Sequence, residues 1–178
     1  MQTSNSADVQ HWTRTFTVQS AAELQRFAAA LAADLTTGDL LILSGSLGAG
    51  KTTFTQGLGQ GLGVRPGVIS PTFVLVRVHP SLTGGPALVH ADAYRLESPA
   101  DIDDLDLESS MDSSVTVVEW GAGRVEHLAE SRLEIRLERP AMAGASAESD
   151  EDDEPRRVLI TGFGQRWANT PPAVTALD

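Results

Sequence analysis

Residues Gly45-Ser46-Leu47-Gly48-Ala49-Gly50-Lys51-Thr52 fit the pattern G-x-x-x-x-G-K-[ST], and no other stretch of the chain narrows its fold so far. In front of it stands the apolar run Leu40-Leu41-Ile42-Leu43, bounded by Gly38 and Gly45, which reads as a strand buried on both faces of a parallel sheet. Behind it Phe54, Leu58 and Leu62 recur at i, i+4 and i+8, so a helix is expected to run to about Gly63 despite three internal glycines. A strand, a glycine-rich loop and a helix in that order make an anion site. Glycines 45, 48 and 50 permit backbone angles closed to other residues, so successive N–H groups can turn inward, and the helix adds its N-terminal partial positive charge. The residues expected to bind a nucleotide are Gly45, Leu47, Gly48, Ala49, Gly50, Lys51, Thr52 and Thr53. Lys51 would set its ammonium between the β- and γ-phosphate oxygens, Thr52 would give its hydroxyl to Mg²⁺, and Thr53 would reach the α-phosphate. A glycine-rich turn beside an ordinary surface lysine is the alternative, and it requires none of this spacing.

The flanking sequence predicts one α/β domain around that unit, since 178 residues suffice for a single hydrophobic core. Residues 1 to 13 read as a frayed arm and Arg14 to Val18 as a short strand. Ser20, with Glu23 at capping-box spacing, opens a helix whose face is Leu24, Phe27, Ala28, Leu31 and Leu35, closed by Gly38. Phe73 to Val78 and Ala87 to His90 read as strands joined by a turn through Pro80, Gly84, Gly85 and Pro86, and Val115 to Val118 as another buried strand. Arg132 to Arg139 alternates strictly, as a half-buried antiparallel or edge strand does, and Arg157 to Thr161 pairs naturally with it. The Ala-, Gly- and acid-rich residues 141 to 154 between them are expected to form a long disordered hairpin loop. The expected fold is a P-loop NTPase-like α/β domain over residues 14 to 164. Its sheet is mixed and mostly parallel, flanked by helices, with antiparallel edge strands near the C-terminus, and a tail covers residues 165 to 178.

Charge and composition limit the partners. The formal net charge is −11, of which six acids lie between Glu148 and Glu154, leaving −5 for everything else. Such a field repels nucleic acid, which argues against DNA as a partner and lets RNA in only through another protein. With no cysteine, disulfides and thiolate metal sites are impossible. The densest apolar stretch, Phe27 to Ala33, falls far short of the ~20 residues of a bilayer span, and the start lacks the apolar segment of a signal peptide, so the cytoplasm is the expected location.

Triphosphate chemistry usually adds a carboxylate at the end of another strand for Mg²⁺ and the attacking water. Asp92 and Glu119 both follow strands and are the candidates; each could equally be a cap or a surface acid. Thr72, in Ser70-Pro71-Thr72, could sense the γ-phosphate and Mg²⁺, or simply turn the chain into a strand. Trp120 could lie near the nucleotide or in the core, and His90 reads as a core or supporting residue.

Taken together, Gly48-Ala49-Gly50-Lys51-Thr52-Thr53-Phe54, Ser70-Pro71-Thr72-Phe73, His90-Ala91-Asp92-Ala93-Tyr94-Arg95-Leu96 and Val118-Glu119-Trp120 resemble, in this order, the bacterial TsaE family over about residues 20 to 137. The resemblance implies a slow ATPase that works with the proteins TsaB and TsaD to install threonylcarbamoyl on the adenosine beside the tRNA anticodon, with tRNA met only through that complex. It implies that Lys51, Asp92 and Glu119 are catalytic, that Thr52, Asp92 and Glu119 hold Mg²⁺, that Thr72 is switch-like, and that Trp120 lies near the nucleotide. The sequence departs from the family at Ser46, often Asp, at Gly121, commonly Pro, and in the acidic run. The competing readings are a small-molecule kinase and a non-catalytic nucleotide switch. A kinase usually carries an arginine-rich lid, whereas the 13 Lys and Arg here are spread out with no basic cluster between the motifs. The absence of N-K-x-D favours adenine over guanine.

Overall fold

A computed structural model of the chain describes residues 5–71, 73, 75–140 and 154–174. Seven strands make one sheet: β1 (Gln10–Val18), β2 (Leu40–Gly45), β3 (Val76–His79), β4 (Ala87–Asp92), β5 (Ser114–Glu119), β6 (Arg132–Glu138) and β7 (Arg156–Phe163), in the order β1-β7-β6-β2-β5-β4-β3. The four central strands β6, β2, β5 and β4 are parallel. Antiparallel β3 closes one edge, and antiparallel β7 followed by β1 closes the other. The expected mixed, mostly parallel α/β sheet is therefore what the chain forms.

Helices α1 (Ala21–Ala32) and α2 (Lys51–Leu62) cover one face of the sheet. Beneath them alternate residues of the strands, among them Leu41, Leu43, Val117, Leu133, Ile135 and Ile160, form the larger core. On the other face, among the described residues, the core lies over β2, β4 and β5, where Leu40, Ile42, Val89, Ala91 and Val118 pack with Ile102 of the short helix α3 (Pro99–Asp104) and with Leu107 and Met111. This asymmetry explains why β6 alternates like an edge strand yet lies inside the sheet, between parallel β2 and antiparallel β7. Among the described residues no helix covers its second face, so Glu134 and Glu138 stay partly exposed and Arg136 exposed by lack of a roof rather than by lack of a neighbour.

Helix α1 starts where expected: the Ser20 hydroxyl accepts the Glu23 N–H at 3.2 Å. The return bond of the capping box shifts by one residue, because Glu23 Oε2 accepts from the N–H of Gln19 at 2.6 Å. The helix ends at Ala33, not Gly38. Gly38, at φ +91°, instead turns the chain into β2 and donates its N–H to Ser114 O at 2.9 Å.

Three other boundaries move. Strand β1 begins at Gln10, inside the expected arm, because the Trp12 indole N–H bonds Trp167 O at 2.7 Å and its ring lies flat over Gly162, where a Cβ would come within 2.5 Å of the ring. Residues 165 to 174, expected as a tail, pack on the domain, with Trp167 and Val174 buried and the Arg166 guanidinium paired with Asp39. The strand expected from Phe73 starts only at Val76, since Phe73 is exposed and Leu75, at φ +68°, bends the chain. Of the expected acidic loop, only Glu154 falls among the described residues, and Thr72 lies outside them.

Candidate functional site

In a parallel sheet the carboxyl ends of the strands open onto a common edge, and here that edge gathers the motifs. The glycine-rich loop follows β2, Glu119 is the last residue of β5 and Asp92 the last of β4. Register aligns them: Leu43 pairs with Glu119, and Glu119 with Asp92. Both carboxylates are buried, and they share with the loop one wall of a cavity of about 410 Å³.

The loop leads into α2 through Gly50, whose φ of +107° is left-handed. A side chain there would also meet Leu24 Cδ2 at 2.8 Å, so the helix start is possible only with glycine. Leu47, Gly48, Gly50, Lys51, Thr52 and Thr53 line the cavity. Gly45 and Ala49 do not. Ala49 belongs to the core, and Gly45 backs against β6, where a Cβ would stand 2.7 Å from Leu137 O.

Lys51 is the central cation. Its Nζ donates to Gly45 O at 2.9 Å and Ser46 O at 3.1 Å and lies 4.5 Å from the centre of the Trp120 ring. Burial lowers its pKa below the usual lysine range, and the charges of Glu119 and Asp92 oppose that shift. Trp120 keeps its place through a left-handed backbone, φ +59°, and an N–H donated to Leu43 O at 3.1 Å. Its ring meets that of Tyr94 at 5.2 Å, so it belongs to the cavity wall and not to the core.

Asp92 Oδ1 accepts the Tyr94 N–H at 2.9 Å, and the Asp92 N–H donates to Leu75 O, itself tied through its own N–H to Pro71 O. The segment around Ser70, which also lines the cavity, is thereby linked to Asp92. Glu119 is held differently. Its Oε1 has no hydrogen-bond partner, and the fully buried His90 imidazole lies beside it, with Nε2 at 3.7 Å. His90 thus backs the carboxylate, the supporting position anticipated for it.

These groups suit a hard divalent cation that arrives with phosphates. Such an ion asks for one or two carboxylates and a hydroxyl and keeps waters and phosphate oxygens for its other positions. Thr52, Asp92 and Glu119 offer that set, and the unpartnered buried oxygen of Glu119 is a donor atom of the right kind. Among the described residues no cluster of three or more His, Asp or Glu side chains offers an all-protein cage.

Two further wall residues escaped the sequence. Arg139 follows β6 and Arg156 opens β7, and although distant in sequence they meet at the cavity. Arg139 and Arg156 therefore join Lys51 at one cavity, while the other arginines lie elsewhere on the domain. The available signal was their position on either side of the acidic run, Arg139 ending one expected strand and Arg156 just before the strand expected to pair with it.

Comparison with known proteins covers most of the chain. A family model described as "Threonylcarbamoyl adenosine biosynthesis protein TsaE" matches residues 18–146. A protein named tRNA threonylcarbamoyladenosine biosynthesis protein TsaE, from Streptomyces coelicolor, is 56% identical over 147 residues, covering 82% of this chain and 95% of its own. The protein of the same name from Bacillus subtilis is 38% identical over 146 residues, covering 82% and 83%. The crystal structure of Bacillus YdiB matches with a TM-score of 0.65 at 30% identity, over 89% of this chain and 90% of that one.

Proposed function

The chain belongs to the TsaE family of threonylcarbamoyl adenosine biosynthesis proteins, and from that premise we propose that it is the ATP-hydrolysing member of a tRNA-modifying assembly. The observation that carries this reading is the alignment of Lys51, Asp92 and Glu119 around one cavity at the carboxyl edge of the sheet. Backbone N–H groups of the loop and the Lys51 ammonium bind the β- and γ-phosphates; Lys51 gives up its bonds to the Gly45 and Ser46 carbonyls to do so. Thr52, Asp92 and Glu119 hold Mg²⁺, which when bound draws negative charge from the phosphate oxygens. Glu119, at the end of β5 on the cavity wall, orients the attacking water and takes up its proton, while His90 stands beside its Oε1 on the buried side. Water adds to the γ-phosphorus, the bond to the bridging oxygen breaks, and ADP and phosphate leave.

A surface of net charge −11 does not bind tRNA by itself, so the substrate tRNA is met through partner proteins, by resemblance TsaB and TsaD, in the cytoplasm. Among the described residues no helix is long and apolar enough to cross a membrane.

The test is phosphate release by the isolated chain with Mg²⁺ and ATP, repeated with TsaB, TsaD and tRNA. Phosphate should appear with no phosphorylated small molecule, and Lys51→Ala should abolish both nucleotide binding and turnover. Unchanged ATP affinity in that variant would remove the reading.

A further inference from the structure

Strand β2 divides the carboxyl edge of the sheet into two halves. On one side lie β5 and β4 with Glu119 and Asp92; on the other lie β6 and β7 with Arg139 and Arg156. A linear triphosphate whose terminal phosphate faced the two carboxylates would have the second half of this cavity open to its nucleoside. The cavity wall there is made by Ala21, Arg139 and Arg156.

The two arginines are not equivalent. Arg139 Nη1 stands 3.7 Å from the point a Cβ on Gly48 would occupy, and Arg156 Nε stands 3.9 Å from the matching point on Gly50, so both flank the loop itself. One carboxylate joins them: Glu154 Oε2 lies 3.4 Å from Arg139 Nε and 3.9 Å from Arg156 Nη1, which also donates to Glu154 O at 2.7 Å. The Arg156 side chain is 6% exposed and the Arg139 side chain 30%. Arg156 is almost wholly buried beside the loop, whereas Arg139, paired by charge with Glu154 without a hydrogen bond at its Nε, keeps part of its surface open at the cavity. A guanidinium is planar and weakly hydrated and stacks well on aromatic rings, and the Glu154 carboxylate beside its Nε edge favours the orientation that leaves its face to the cavity.

We propose that Arg139 is the residue that meets the nucleoside, its guanidinium stacked on the base, and that Glu154 and Arg156 are positioning residues that hold it there. The inference rests on the ATP-binding reading above and adds the base-contacting group to it. It also gives the far end of the acidic run a task at the site, since Glu154 is the last acid of that run.

Titration calorimetry with Mg-ATP and with inorganic tripolyphosphate, which has no base, tests the assignment in the full chain. Arg139→Ala should weaken ATP by about tenfold and leave tripolyphosphate within about twofold of the parent. Arg139→Lys keeps the charge and loses the plane, so it should resemble Arg139→Ala. Glu154→Gln, which frees the guanidinium to rotate, should weaken ATP selectively but less. Thermal midpoints of the three variants check that the fold is retained. Equal weakening of ATP and tripolyphosphate, rescue by lysine, or unchanged ATP affinity in Arg139→Ala each overturns the proposal. If the parent chain binds neither ligand, the ATP reading itself fails and takes this inference with it; if it binds both and only the variants disagree, the ATP reading stands.

Discussion

Replacing Gly57 and Gly59 of helix α2 by alanine should shift stability in opposite directions, although the two positions are two residues apart in one helix. Each replacement removes a glycine from a helix interior, which by itself favours folding by about 1 kcal/mol. The surroundings differ. At Gly57 a Cβ would lie 2.2 Å from the Gln25 carbonyl oxygen and 2.7 Å from Gln25 Cα, both backbone atoms of α1. Ordinary contact begins at 3.4 Å, so the two helices would have to separate by about 1.2 Å. Overpacking of that kind costs about 3 kcal/mol at the upper end of its usual range, and the net loss is about 2 kcal/mol. For a domain of this size the melting midpoint should fall by about 4–8 °C. At Gly59 the nearest atom is Val64 Cγ2 at 3.0 Å, a side-chain methyl that needs to yield only a few tenths of an ångström. Gly59→Ala should therefore be neutral or raise the midpoint slightly. Thermal unfolding followed by circular dichroism measures both, and nucleotide titration adds a second readout, because α2 begins with Lys51 and Thr52 and displacing it displaces them. The packing argument is refuted if the two variants shift the midpoint by the same amount in the same direction.

Asp92→Ala and Glu119→Ala should each lower ATP turnover by more than they weaken ATP binding, the mark of lost transition-state stabilisation; parent rates in both variants would rule out their assignment. Arg166→Ala removes the cation that bonds Asp39, a carboxylate buried to 4% exposure, through Arg166 Nη2 at 2.7 Å and Nε. A fully buried pair would lose about 3–5 kcal/mol, but Arg166 is partly solvated and Thr36 N–H still donates to Asp39 at 2.8 Å, so about 1–3 kcal/mol is expected in denaturant unfolding. An unchanged midpoint would show that the pair is fully screened.

What could be read from the sequence was whatever depends on neighbours along the chain. The Ser20 cap, the apolar run of β2 and the loop from Gly45 to Thr52 are local, and the strand-end positions of Asp92 and Glu119 follow from short patterns. The failures involve contacts across the sheet. Nothing beside Gly57 and Gly61 in the sequence announces the backbone of α1, where Gln25 and Ala29 leave no room for a Cβ. Strand β1 starts early because Trp12 finds Trp167, 155 residues away. The alternation of β6 fitted a half-buried antiparallel strand or an edge strand; it pairs antiparallel with β7 but also parallel with β2, because alternation reports how many faces are covered, not how many neighbours are hydrogen-bonded. Arg139 and Arg156 become one feature only when β6 and β7 pair.

The order of the strands also sets a timetable for synthesis. Strand β1 emerges from the ribosome before α1, yet its one neighbour in the sheet is β7, so that Thr13 waits for Thr161. A nascent chain that has reached the end of β6 already holds the glycine-rich loop, Asp92 and Glu119, while β1 has no partner and the outer edge of β6 is bare. Pairing over so long a separation is slow, and bare edges recruit other chains. The arrival of β7 covers that edge, docks β1 and delivers Arg156 to the cavity in one event. Completion of the sheet and completion of the site are therefore the same step, and a chain released before it is a candidate for aggregation rather than a partly active protein.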